Sequence, residues 1–239
     1  MRPSATLSSV GLLDSAGFDL ASTDRLLTTT RSVRRRLDLE RPVPRSILLE
    51  CLDLALQAPT GANRQRWRWL ILDQDGPKNA VAEVYRRGYD RYVEARRSSG
   101  DVDGPTFDRN LLSSDHLAQN LERVPALVIP CFLDRPPSGK SQEALAQFYG
   151  SILPAAWSLM LALRTRGLGA AWTTLHLSGE AEVASALGIP DTVTQVAMLP
   201  VAYYIGEDFR PAPRRPAAQV TYFNSWGVKD LPADVSVDK

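Results

Sequence analysis

A chain of 239 residues, 44% hydrophobic and 23% charged, has the composition of an ordinary globular protein with ample length for a hydrophobic core. Its 28 basic and 27 acidic residues leave a formal net charge of only +1. No global field therefore draws it to nucleic acid or to an anionic membrane, and any anion site has to be local. No window reaches the roughly 20 apolar residues of a membrane span, and the N-terminus lacks a basic segment followed by an apolar run. A cytoplasmic protein without a nucleic-acid or membrane partner is expected.

Residues 1–22, rich in Ser, Ala and Thr, read as a loose N-terminal arm, and residues 23–239 as a single domain. In "VPRSILLECLDLALQAPTG" a helix is expected from about Pro44, with Ile47, Leu48, Cys51, Leu52 and Ala55 at helical spacing and a stop before Pro59 and Gly61. "WRWLILD" reads as a strand, residues 78–97 as a basic helix, "SSGDVDGPT" as a surface loop, "DHLAQNLERV" as a helix and "PALVIPCFL" as a buried strand. "YGSILPAAWSLMLALRTRG" reads as one nearly all-apolar core helix ending at Gly167. "SGEAEVASALGIP" reads as a short helix with Ser178 as its cap and Gly188 as its stop. "TQVAMLPVAYYIG" reads as a long strand, followed by a Pro- and Arg-rich, then aromatic, C-terminal segment. Without strict strand–helix alternation, the class expected is α+β.

Few residues carry obvious chemistry. The two histidines, His116 and His176, have no carboxylate or cysteine at ligand spacing, so no metal site is expected, nor a Ser-His-Asp or Cys-His hydrolase. Cys51 and Cys131 sit in apolar runs and read as buried thiols, with a disulfide or a redox pair as the alternatives. The "GLG" at Gly167–Gly169 follows a helix instead of a strand, so it does not fit a dinucleotide fingerprint and reads as a helix C-cap. The arginine cluster in "TTTRSVRRRLD" is the strongest local signal. Arg31 and Arg34, three apart, would share one face of a helical turn, among the hydroxyls of Thr28, Thr29, Thr30 and Ser32. Guanidinium forks, hydroxyls and backbone N–H groups suit a phosphate. Arg35 and Arg36 are expected to face solvent. Taken alone, such a run also fits a solvated face.

Six motifs then occur in order: "TRSVRR", "APTGANRQRW", "HLAQNLERVPALVIPC", "YGSILPAAWSLMLALRTRGLGAAWTT", "LGIPDTVTQVAMLPVAYYIG" and "RRPAAQVTYFNSW". From about Thr28 to Trp226 the chain resembles the nitroreductase family of FMN-dependent oxidoreductases. The resemblance implies a mixed, mainly antiparallel sheet wrapped by helices in an intertwined homodimer. FMN would lie in the dimer interface, and the C-terminal tail after Gly206 would embrace the other subunit. It implies that NADH or NADPH delivers hydride to FMN N5 and that a small electron-poor acceptor (a nitroaromatic, quinone or enone) then takes electrons in a ping-pong cycle. No side chain need be catalytic, and dehalogenation, substrate oxidation, flavin destruction and non-catalytic flavin binding are alternatives on the same fold.

By the same resemblance, Arg31 and Ser32 would bind the phosphate or ribityl chain and Arg34 the pyrimidine side of the ring. Thr60, Gly61 and Asn63 of "APTGAN" would be ribityl and ring contacts. Trp172, Thr173 and Thr174 would give backbone and hydroxyl contacts near N5 and O4, and Arg214 or Arg215 would be the C-terminal phosphate arginine. The chain departs from the family pattern at Thr30, where an arginine is usual. It also departs at Arg66, where a proline is usual, and at Trp157 and Ser158, where a Gln-Asn pair is often found.

Overall fold

The computed structural model of the chain describes residues 17–98, 105–137, 139 and 141–230. Among these, strands β1 (Trp67–Leu72), β2 (Ala126–Phe132), β3 (Leu168–Ala170), β4 (Thr194–Gln195) and β5 (Leu199–Tyr203) form one sheet. Its order is β1-β2-β5-β3, with β4 also on β2, and every pairing of these strands is antiparallel. A single parallel bridge, Ser32 to Ala170, makes the sheet mixed. The expected long strand at 194–205 is interrupted. β4 and β5 pair with opposite ends of β2, and between them Val196 N–H donates to the Pro130 carbonyl.

Helices cover both faces. On one, α2 (Arg45–Ala55) and α6 (Leu153–Thr165) bury Leu48, Cys51, Leu52, Ala55, Leu159 and Leu163 against Val128, Leu199 and Val201. On the other, α3 (Asp75–Ser98), α4 (Pro105–Asn120) and α7 (Glu180–Leu187) bury Val81, Val84, Tyr85, Leu117 and Val183 against Leu127, Ile129 and Cys131. Successive β2 residues therefore enter opposite cores, and the strand reads as a continuous apolar run. Cys51 and Cys131 lie in these opposite cores as free thiols, and burial pushes the Cys131 thiol up to about 12. The alternative of a disulfide between them is thereby removed.

Several expected boundaries move. A helix, α1 (Leu20–Thr29), starts within the stretch read as an arm, because Asp19 caps it by accepting from Ser22 N–H at 3.3 Å; residues 1–16 lie outside the described residues. The apolar helix expected at 149–167 is two, α5 (Gln142–Gly150) and α6, broken at Ser151–Ile152. The stretch Gln142–Thr165 has the length and composition of a membrane span, yet the break divides it and α6 packs into the core. Gly179, not Ser178, precedes α7, while Gly188 ends it as expected. The loop expected at 98–106 falls mostly on undescribed residues, and Ser98 and Pro105 belong to helices.

A 3-10 turn, Leu175–Gly179, packs on α3 at Gly88, where a Cβ would come 2.3 Å from the Leu175 carbonyl oxygen. This close approach encloses His176, which has no exposed surface and no hydrogen-bond partner for either ring nitrogen. Burial holds its imidazole down at about 4, against an ordinary 6.5. The folded state thus keeps His176 neutral where the unfolded chain would protonate it. Stability from this group is full above pH 6.5 and is lost progressively as pH falls to about 4. At about 1.4 kcal/mol per pH unit the loss is roughly 3 kcal/mol. Denaturant titrations across this window should show that loss in the native chain, and a His176→Leu variant should show a much flatter profile.

Candidate functional site

The 31–38 segment is not helical. After α1 ends, Ser32 bridges Ala170 and Val33 N–H donates to the Ala170 carbonyl at 2.9 Å. Gly169 permits this, since a Cβ there would lie 2.9 Å from Val33 Cβ. The "GLG" thus ends α6 at Gly167 and then gives room for Val33. The shared helical face expected for Arg31 and Arg34 is absent, because the non-local bridge to β3 sets an extended backbone. Arg31 Nη1 donates to the Arg210 carbonyl at 2.9 Å, whereas Arg34 Nη1 reaches Ser113 Oγ on α4 at 3.4 Å. Arg35 is exposed as expected. Arg36 is not a solvated residue: it donates to the Ile205 and Glu207 carbonyls, and its guanidinium stacks on Phe209 at 4.2 Å.

The first residues after Gly206 are fastened to their own chain. Arg25 and Arg164 both bind Asp208, holding its carboxyl at about 2, and Arg31 holds Arg210. Residues 207–210, the start of the segment expected to embrace a partner, pack on their own chain. Beyond them, among the described residues, only the four-residue α8 (Ala217–Val220) is regular, and Arg214 and Arg215 are exposed. Arg31 therefore sits beside the segment that carries Arg214 and Arg215.

Arg25, Arg45, Arg66, Arg86, Arg123, Arg135 and Arg164 each hold a carboxylate. Among the described residues no carboxylate pairs with Arg31, Arg34, Arg214 or Arg215. Unpaired guanidiniums keep their bidentate capacity for an external anion. Ser32, at the edge of β3, adds an exposed hydroxyl beside them.

At 172–174 the backbone contact expected of Thr173 is already used. Its N–H donates to the Met198 carbonyl at 3.0 Å, and its carbonyl accepts from Met198 N–H at 2.8 Å. Its hydroxyl donates to Tyr85 Oη at 3.1 Å. Thr174 is exposed and Trp172 half-buried. Tyr85 and Ser113 were invisible as site residues, since their helices read only as basic or amphipathic.

Thr60, Gly61 and Asn63 lie elsewhere. Their loop, with Ser151 and Phe148 of the α5 end and Phe132 of β2, lines a cavity of about 570 Å³. Ala62, Asn63 and Gln65 all have positive φ, at 51°, 51° and 47°. Such non-glycine conformations cost about 1–3 kcal/mol each and need bracing. Gly61 N–H to Ser151 Oγ at 3.1 Å and Gln65 N–H to Thr60 Oγ1 at 3.2 Å supply it. No hydrogen bond joins this loop to segments 31–34 or 172–174 among the described residues. The candidate site is thus two half-sites within one chain. Unpaired cations, exposed hydroxyls, a half-buried indole and a loop of upturned backbone fit a phosphorylated aromatic cofactor such as FMN.

The model of the nitroreductase family matches residues 27–203. Among solved structures, an oxidized iodotyrosine deiodinase bound to FMN and 3-iodo-L-tyrosine is 24% identical with a TM-score of 0.63, covering 84% of this chain and 98% of its own. The FMN-dependent nitroreductase NfnB from Mycobacterium smegmatis, in complex with NADPH, is 18% identical with a TM-score of 0.63, covering 87% and 100%. A BluB-like flavoprotein from Clostridium difficile 630 is 17% identical with a TM-score of 0.62, covering 87% and 100%. With its matched helices and sheet and the family's model over residues 27–203, the chain belongs to the nitroreductase family.

Proposed function

We propose that the chain is an FMN-dependent oxidoreductase that uses NAD(P)H to reduce small electron-poor acceptors and works as a homodimer. The observation that carries this reading is that Arg31 and Arg34 flank the Ser32 bridge to β3 without a carboxylate partner, and that Arg31 holds Arg210, four residues before the likewise unpaired Arg214 and Arg215. Solved relatives that contain FMN, and one that contains NADPH, support it. Bound FMN would supply the hydride and electron transfer. The protein's part is to hold and tune it: Arg31 with Arg214 or Arg215 on the phosphate, Ser32 on the phosphate or ribityl chain, and Arg34 on the pyrimidine side. Thr174 and Trp172 would stand at the other ring edge. Thr60, Gly61 and Asn63 would reach the same cofactor from the second copy.

The second copy is supported by exposed apolar surface. Leu49 and Leu54 of α2 and Leu153 and Trp157 of α6 lie outward on two packed helices, and Trp226 of the tail is 90% exposed. Such patches are uncommon on isolated chains. The tail beyond Arg210 carries Tyr222, Phe223 and Trp226 as exposed rings that a partner would cover. Dehalogenation uses the same cofactor chemistry, and the 24% identity to iodotyrosine deiodinase makes halide release the first alternative reaction to assay.

Acid-released cofactor should be FMN by chromatography, because the site offers one-phosphate cations and no pyrophosphate loop; FAD would overturn the assignment. Replacing Arg31 by Ala removes a charge-assisted contact worth roughly 1.5–3 kcal/mol, so FMN affinity should fall about tenfold or more in a fluorescence titration. Arg34→Ala should leave the protein yellow but lower its flavin midpoint potential, because a cation beside the pyrimidine side favours the extra negative charge of the reduced ring. A loss of about 1.4 kcal/mol of that preference corresponds to about 30 mV in a potentiometric titration. Sedimentation at micromolar concentration should give a dimer, and a stable flavin-loaded monomer would refute it.

A further inference from the structure

Tyr85 is the largest of the fully enclosed side chains, 2% exposed, in the middle of α3. It shares a core cluster with Val33, the residue between Ser32 and Arg34. Burial holds its phenol above the ordinary value, and Arg34 is near enough for its charge to oppose that effect. Its Oη accepts the Thr173 hydroxyl proton. Thr173 is itself pinned on both backbone polar groups by Met198. Tyr85 is therefore the point at which the arginine turn and the 172–174 segment meet.

We propose that Tyr85 is a positioning residue for the cofactor: its hydroxyl fixes the orientation of Thr173 Oγ1 beside Arg34 and so sets the polarity that the 172–174 edge presents to the ring. The inference rests on the flavin reading above. A hydroxyl has one proton to give and two lone pairs to offer. With its proton committed to Tyr85, Thr173 can meet a ligand only as an acceptor. An acceptor favours the form of a cofactor that carries the additional N–H, which is the reduced form. Without the Tyr85 hydroxyl, Thr173 can turn its proton toward the ring and that preference is lost.

The test is potentiometry on FMN-loaded protein. Tyr85→Phe keeps the ring and its packing and removes only the hydroxyl. Its FMN midpoint potential should fall by about 30 mV, equivalent to about a tenfold change in relative affinity for the two redox states. Thr173→Val should lower the potential similarly, and Tyr85→Phe added to it should cause no further change, since both act through one hydrogen bond. A Tyr85→Phe protein that folds and loads FMN with the wild-type potential overturns the proposal, because a purely structural hydroxyl would alter only stability. Should Tyr85→Phe not fold, Thr173→Val decides: an unchanged potential there overturns it equally. A wild-type chain that takes up no FMN instead sinks the cofactor reading itself, which separates the two failures.

Discussion

The approach of Val33 to Gly169 fixes where the charged side chains of this site can go. With no Cβ on Gly169, the 31–34 segment lies flat against β3, and Val33 N–H takes the Ala170 carbonyl that would otherwise face an empty sheet edge. After the bridge the chain turns at Arg34, whose carbonyl accepts from Leu37 N–H at 3.3 Å. Val33 enters the core while Arg31 and Arg34 diverge, one toward the C-terminal segment and the other toward α4. A helical turn here would have clustered the guanidiniums; the bridge spreads them along the end of the strand. A cofactor with a phosphate at one end and a ring at the other suits that spacing better than a lone phosphate would.

Charge pairing sorts the remaining arginines into structural and available ones. Arg164 is nearly buried, binds Asp208 and Tyr204, and stacks on Phe209. Arg25 and Arg36 grip the same segment from outside. These contacts anchor residues 205–210 against α1 and α6, and through the Arg31–Arg210 bond they settle where Arg214 and Arg215 leave the surface. Exposed ion pairs contribute little to stability individually. Here two converge on Asp208 while Arg36 holds the Ile205 and Glu207 carbonyls beside it, and together they act as a clamp on chain direction. Arg31, Arg34, Arg214 and Arg215, outside the clamp, hold no carboxylate among the described residues and keep donors for an external anion.

How much of this was legible in the sequence depends on whether the cause was local. β2 was legible because burial on both faces leaves an uninterrupted apolar run, and the end of α7 because Gly188 adopts a left-handed conformation at φ 66°. The family was legible too, from motifs in the right order, and the family's model matches residues 27–203. The arrangement was not. The break between α5 and α6 is hidden by continuous hydrophobicity, and it sits where Ser151 Oγ accepts Gly61 N–H from 90 residues away. The Ser32–Ala170 bridge joins segments still farther apart in the chain and overrides the helical spacing of Arg31 and Arg34. Tyr85 looked like one more apolar position in a basic helix, because its partner Thr173 is 88 residues distant.

The two candidate half-sites have different mechanical characters. The β3 side is rigid: Thr173 is locked to Met198 and Tyr85, and Val33 is locked to Ala170. The 60–65 loop, by contrast, carries three left-handed non-glycine residues that cost free energy, and two side-chain hydroxyls hold it in that shape. Strain of this kind is retained where the shape serves a purpose. Within the chain the loop borders a cavity that Arg31, Arg34, Arg214 and Arg215 do not line. If its upturned backbone is shaped for the same cofactor, that cofactor belongs to a second copy. The exposed apolar residues of α2 and α6 then have a partner to cover them, and docking and cofactor binding share one surface, so that each would stabilise the other.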